Sequence, residues 1–221
     1  MSIVMVTGAS RGIGAAVVEM LHKRGDEVYG VGRDPERLAA QGVHPVIADL
    51  AHPETLADAM PQLERLDALV HCAGVCTLGR IAETPYRVWH EHLTVNLAAA
   101  AEITRLMLPA LRRAFGQVVF VNSGAGQHAN PNWGAYAASK FGLRALADAL
   151  RAEERSLRVT SIYPGRTDTE MQQSVRQQEG GEYQPERYLR PQTVAHAVIT
   201  ALDTPPDGHL GDLTLRPQHR A

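Results

Sequence analysis

The stretch Ile3-Val4-Met5-Val6-Thr7-Gly8-Ala9-Ser10-Arg11-Gly12-Ile13-Gly14 decides the fold. A short apolar, β-branched run reads as a buried strand, and a helix-period pattern begins at Ile13 and stops at Gly25. At their junction stand three glycines, Gly8, Gly12 and Gly14, which permit a tight turn and let the backbone approach a phosphate with no Cβ in the way. The helix that follows aims free N–H groups and its positive end at the same spot, so a pyrophosphate is the natural occupant. A purely structural turn would also use glycine. The position between a first strand and a first helix is what favours a nucleotide.

Working outward, the same alternation continues along the chain. Strands are expected at residues 27–31, 43–48, 68–71, 117–121, 158–162 and 212–215. Helices are expected at 35–41, 53–63, 86–114, 135–156 and 191–202, the first opened by Asp34 with Pro35 at the first helical position. Apolar strands separated by helices specify a parallel sheet covered on both faces, hence an α/β, Rossmann-like, doubly wound sandwich of about seven strands. One domain over residues 1–221 is expected. The polar stretch 172–190 is the longest expected irregular connection, and residues 170–190 are read as a substrate loop, with a surface excursion as the alternative.

Composition narrows the function. The 221 residues are 44% hydrophobic and 21% charged, with a formal net charge of −2. Interspersed charges of both signs disfavour a nucleic-acid partner. The two cysteines, Cys72 and Cys76, make neither a disulfide framework nor a metal site, and the ten histidines are scattered, so no metal is expected. No apolar run approaches the ~18–20 residues of a bilayer span, and no secretory pattern precedes the first strand. No membrane partner and a cytoplasmic location are the expectations.

The spacing Gly-x-x-x-Gly-x-Gly in TGASRGIG resembles the cofactor turn of the short-chain dehydrogenase/reductase family, and the resemblance extends over essentially the whole chain. It implies a seven-stranded parallel sheet, in agreement with the strand count. It also implies a dinucleotide held by Gly8, Ser10, Arg11, Gly12, Ile13 and Gly14. Asp49-Leu50 resembles the family's adenine-contacting pair, although Asp49 serves equally well as a helix cap. NAD enzymes commonly end the second strand with an acid for the ribose 2′-hydroxyl. Here Gly32 stands at that position and Arg33 follows, with Arg11 able to reach the same place. Two guanidinium groups suit a 2′-phosphate, so NADP is expected ahead of NAD. Asp34 rotating in would favour NAD instead.

Tyr136 and Lys140 are four residues apart on one helix face, and a nearby ammonium is expected to lower the phenol pKa. Ser123 lies thirteen residues before Tyr136 and matches the family's catalytic serine. Asn96 matches the asparagine that holds a relay water. The Pro164-Gly165-Arg166-Thr167-Asp168-Thr169 segment resembles the one that faces the nicotinamide through Thr167 and Thr169. The family's Asn-Asn-Ala-Gly appears as His71-Cys72-Ala73-Gly74, which keeps Ala73 and Gly74 beside the cofactor but loses two asparagines that brace the loop. The resemblance implies hydride transfer between nicotinamide and a small-molecule carbonyl or alcohol, with Tyr136 as general acid/base, in a homodimer or homotetramer. An NAD-dependent alcohol dehydrogenase and a non-catalytic dinucleotide sensor are the alternatives.

Overall fold

The structure, a computed structural model, describes residues 1–218; the expected domain limit at 221 lies outside the described residues. Seven strands run parallel in the order β3-β2-β1-β4-β5-β6-β7. They are β1 (Ile3–Thr7), β2 (Glu27–Gly32), β3 (His44–Ile47), β4 (Ala68–His71), β5 (Gln117–Val121), β6 (Arg158–Pro164) and β7 (Asp212–Leu215). The order reverses between β1 and β4, which pair in register from Val4↔Ala68 to Thr7↔His71. At such a reversal the loops leave the strands' carboxyl ends in opposite directions and open a crevice.

Side chains alternate across each strand and sort into two cores. Met5, Leu69 and Phe120 face the layer of α5 (Ala99–Ala114) and α6 (Gly134–Glu153), where Ile103, Leu111 and Leu143 meet them. Val4, Val6, Val70 and Ile162 face the layer of α1 (Gly12–Lys23) and the C-terminal helix Pro191–Asp203, against Val17, Leu21 and Val198. At roughly 1.5–3 kcal/mol for each large side chain buried, these two layers hold the sheet that frames the crevice.

Three expected elements differ. The helix expected at 53–63 is a 3-10 turn, Pro53–Thr55, followed by a single α-turn, Leu56–Ala59. Pro61 holds Met60 extended (φ −74°, ψ 134°) and stops it. The helix expected at 86–114 runs through, but as Tyr86–Leu93, a π turn at Thr94–Ala98, and then α5. The stretch expected to be irregular opens instead with a helix, Glu170–Gln178. Thr169 caps it by accepting from the Gln172 N–H at 3.2 Å, Glu170 supplies a first-turn acid, and Val175 is buried.

Candidate active site

The glycine turn forms because only glycine fits it. Gly8 has φ +66°, and a Cβ there would lie 2.8 Å from the Ala73 Cα; a Cβ on Gly14 would lie 2.1 Å from the Gly8 carbonyl oxygen. The first strand's turn is thus pressed against the β4 loop at Ala73. Thr7 Oγ1 fixes that contact by accepting from the Cys72 and Ala73 N–H groups, both at 3.2 Å. Asn96 continues the brace: its Oδ1 accepts from the Val75 N–H at 2.8 Å, and its Nδ2 donates to the Val75 carbonyl and to Ser139 Oγ. The loop therefore keeps its support without the two asparagines absent at positions 71 and 72. His71 is buried in the sheet, stacked on Phe120 and bonded to Thr104 Oγ1 at 3.0 Å.

These elements enclose a cleft of about 720 Å³ whose walls include Gly8, Ser10, Arg11, Gly12, Ile13 and Gly14. Arg33, Asp49, Leu50, Ala73, Gly74 and Thr169 line the same cleft. A dinucleotide fits this donor set: a cradle that a Cβ would fill, at the N-terminus of a 12-residue helix. At its far end Asp34 is engaged, capping the helix Pro35–Ala40 through the Arg37 N–H at 3.0 Å and pairing with the Arg37 guanidinium at 3.3 Å. Arg37, which the sequence reading passed over, joins Arg11 and Arg33 in the cleft wall. Glu170 lies between two of them, 2.6 Å from Arg11 and 3.8 Å from Arg37. Asp49 accepts from the Ala51 N–H at 3.0 Å, so one of its oxygens caps its own turn.

Ile13, Thr169 and Met171 are shared with an adjoining cavity of about 660 Å³. Ser123 and Tyr136 meet there, with Thr167 in the wall. Ser123 follows β5 and opens a 3-10 turn, its Oγ accepting from the Ala125 N–H at 3.1 Å. Tyr136 sits in the first turn of α6, 7% exposed, packed edge-on to Trp133 and His92. His92 has both ring nitrogens committed, to the Val88 carbonyl and the Thr77 N–H, and so ties its helix to the loop beside Tyr136.

The electrostatics correct one expectation. Burial is the largest influence on Tyr136 and raises its pKa above the ordinary phenol value, with Cys76 adding to the rise and the Ser123 hydroxyl drawing it down. Lys140 does not dominate. Its Nζ lies 5.9 Å from the Tyr136 ring centroid and donates to the Val121 carbonyl at 3.1 Å, while burial lowers its own pKa to about 8. The side chain of Asn96, with both Nδ2 hydrogens and Oδ1 in use, is a brace between the β4 loop and α6. The π turn around it is where a helix breaks its regular bonding, a feature common at functional sites. Sequence reasoning also passed over Asn122, which accepts from the Ser123 N–H and donates to the Lys140 carbonyl, joining two site residues. Among the described residues no cluster of His, Cys, Asp and Glu could hold a metal, and no helix is long and apolar enough to cross a membrane.

The chain is similar to known proteins throughout. The family model described as short chain dehydrogenase matches residues 2–180. Glycine betaine reductase of Emericella nidulans is 34% identical over 98% of this chain, which spans only 19% of that relative's length. Dehydrogenase/reductase SDR family member 11 of Mus musculus is 30% identical, with 96% of this chain and 93% of the relative covered. Among solved structures, an alcohol dehydrogenase from Thermococcus sibiricus complexed with 5-hydroxy-NADP superposes with a TM-score of 0.87 at 26% identity, covering 100% of this chain and 99% of that one. A short chain dehydrogenase from Shigella flexneri complexed with NADP gives 0.87 at 28%, covering 99% and 97%. Since the matched span carries β1 to β6 and both walls of the cleft, the chain belongs to the short-chain dehydrogenase/reductase family of oxidoreductases.

Proposed function

We propose that the chain is an NADP(H)-dependent reductase of a small carbonyl compound, with Tyr136 as the proton donor. The observation that carries this reading is the meeting of the Tyr136 phenol and the Ser123 hydroxyl in a buried corner of the cavity that adjoins the dinucleotide-shaped cleft. The bound dinucleotide supplies the hydride. The chain's own residues do the rest.

Ser123 orients the carbonyl oxygen and stabilises the charge that develops on it. Burial keeps the Tyr136 phenol protonated, so it can donate to a nascent alkoxide. Lys140, fixed by the Val121 carbonyl and close to Gly74 of the cleft wall, serves the nicotinamide ribose. Thr167 and Thr169, on the turn shared by the two cavities, serve the nicotinamide carboxamide and phosphate. The segment 170–190 acts as a substrate loop, a role supported by Met171, Gln172, Val175 and Glu179 in the cavity wall.

NADP is preferred to NAD because Arg11, Arg33 and Arg37 line one cleft with a single carboxylate, Glu170, between two of them, while Asp34 is occupied by its helix cap and by Arg37. Two structural neighbours with NADP-type ligands support the same choice. A homodimer or tetramer through the helices of 86–114 and 134–153 is supported by the exposed apolar side chains of Leu93 and Phe141. The decisive experiment is a carbonyl panel assayed with NADPH and with NADH, alongside Tyr136→Phe. Turnover with NADPH that falls by roughly 10²–10⁴-fold in the variant supports the reading; turnover indifferent to the change overturns it.

A further inference from the structure

The substrate-side cavity continues beyond Ser123 into a second one of about 480 Å³, and Gly165, Arg166 and Arg216 line both. The annex is walled by four arginines, Arg166, Arg176, Arg187 and Arg216, with Glu182 the carboxylate among its lining residues. Arg166 and Arg176 both pair with Glu179. Arg187 donates only to the Gln184 side-chain oxygen, and Arg216 only to carbonyl and amide oxygens; among the described residues neither has a carboxylate partner. Four guanidinium groups against two carboxylates make a local excess of positive charge on a chain whose formal net charge is −2.

Arg216 is held in place from several sides. Its Nη1 donates to the Tyr163 carbonyl at 2.8 Å and to the Leu215 carbonyl at 3.0 Å, and its Nη2 donates to Gln127 Oε1 at 3.1 Å. The guanidinium lies over the turn that follows Ser123: a Cβ on Gly124 would be 3.4 Å from Nη2. Gly165 lets the segment after β7 approach, since a Cβ there would stand 2.8 Å from the Pro217 Cδ. Of the five N–H groups of an arginine, three are used in this way, and Nε–H and the second Nη2–H remain for a ligand. Carbonyl acceptors orient a guanidinium without neutralising it. An arginine that merely pinned the end of β7 would need these bonds, but not a cavity shared with three more arginines. Gln172, buried in the wall of the substrate-side cavity, has an Nε2 amide with no partner among the described residues and so offers a further donor on that side.

We infer that the substrate is an anionic carbonyl compound, whose carboxylate or phosphate docks on Arg216 and Arg187 while its carbonyl lies at Ser123 and Tyr136. This rests on the reductase reading above and adds the substrate's charge to it. Guanidinium groups suit both anions, and a fixed fork is more selective than a mobile ammonium.

The test is kinetic. With saturating NADPH, kcat/KM is measured for two matched pairs: a keto acid against its methyl ester, and a ketone phosphate against its free alcohol. At least a tenfold preference for the anion is expected in one pair, and that pair identifies the group. The preference shrinks as salt rises. Arg216→Gln combined with Arg187→Gln cuts the anion-to-neutral ratio tenfold or more. Equal or better use of the neutral members, or a preference that the double variant leaves intact, overturns the inference. Should the double variant not fold, Arg187→Gln alone carries the comparison, since that exposed side chain makes a single bond, to Gln184. Should no carbonyl turn over at all, the reductase reading has failed separately, and binding decides the annex. Inorganic phosphate and glutarate are then titrated calorimetrically into wild type and Arg187→Gln: binding weakened in the variant supports the anion site, and equal or absent binding overturns it.

Discussion

Lys140 is 3% exposed, has one hydrogen bond to a carbonyl, and holds its proton with a pKa lowered to about 8 by burial. In the unfolded chain the same amine keeps its proton to about 10.4. Between those values the unfolded state binds more protons than the folded state, so this group makes stability rise with pH, and its destabilising charge is fully present below pH 8. Cys72 and Cys76, with thiols pushed up to about 12 by burial, work in the opposite sense above their unfolded value. The comparison is therefore wild type against Lys140→Met, in urea melts from pH 7.5 to 9: the difference in unfolding free energy is expected to move in wild type's favour by about 1 kcal/mol. A flat difference removes the buried ammonium. Arg33→Ala is the residue-scale test of cofactor choice. Loss of a charge-assisted hydrogen bond of about 1.5–3 kcal/mol weakens NADPH binding roughly 10–100-fold in a fluorescence titration and leaves NADH nearly unchanged. At this scale Ser123, Tyr136 and Lys140 were legible because their spacing and sequence order carry the signal. Arg216 and Arg37 were not. Arg216 reaches the site from 89 residues beyond its partner Gln127, and no local pattern announces such a return.

Elements were legible where a single periodicity ruled them and less so where two local signals competed. The central strands, β4 and β5 above all, lie where apolar, β-branched runs stand, because burial on both faces leaves little room for other residues, whereas the edge strands β3 (His44–Ile47) and β7 (Asp212–Leu215) are largely exposed and carry the weaker pattern. The helix Glu170–Gln178 was hidden by its composition. Its Gln- and Glu-rich face is polar, and the local signals for it, one buried apolar residue at Val175 and the Thr169 cap, are too sparse to outweigh a polar run. The π turn at Thr94–Ala98 was equally silent, since its apolar pattern differs little from that of a regular helix. The glycine turn is the opposite case. Each glycine there answers a steric demand, and Gly14 answers the most severe one, with the Gly8 carbonyl oxygen only 2.1 Å from any Cβ. Gly14→Ala must therefore push α1 away from the turn. Overpacking of this kind costs about 1–3 kcal/mol, so Tm is expected to fall by roughly 5–10 °C, with a parallel loss of dinucleotide affinity. Calorimetry with and without cofactor checks both; an unshifted melt would mean that the turn relaxes freely.

The whole molecule depends on the β1–β4–β5 centre of its sheet, and one titratable group sits inside it. His71 pairs in register with Thr7 on one side and Phe120 on the other, stacks on that phenylalanine, and bonds Thr104 from α5. Burial, and then the charge of Lys140, push its pKa down to about 3, against about 6.5 in the unfolded chain. As pH falls through 6.5 the unfolded state takes up a proton that the folded state refuses. Stability attributable to His71 is complete above that value and drains away towards pH 3. The limiting slope is about 1.4 kcal/mol per pH unit, enough for this one ring to remove a large part of a typical domain's stability by pH 4. Carboxylates protonate in the same range, so the useful quantity is again a difference. His71→Asn keeps a polar contact for Thr104 and cannot titrate. Its unfolding free energy, measured in urea at pH 6.5, 5.5 and 4.5, is expected to start below that of wild type, because a ring and its stacking are lost, and to gain on it by about 2 kcal/mol as the pH drops. Parallel curves would mean that the histidine finds water or a carboxylate before the sheet opens, and the acid sensitivity would then have to come from the surface.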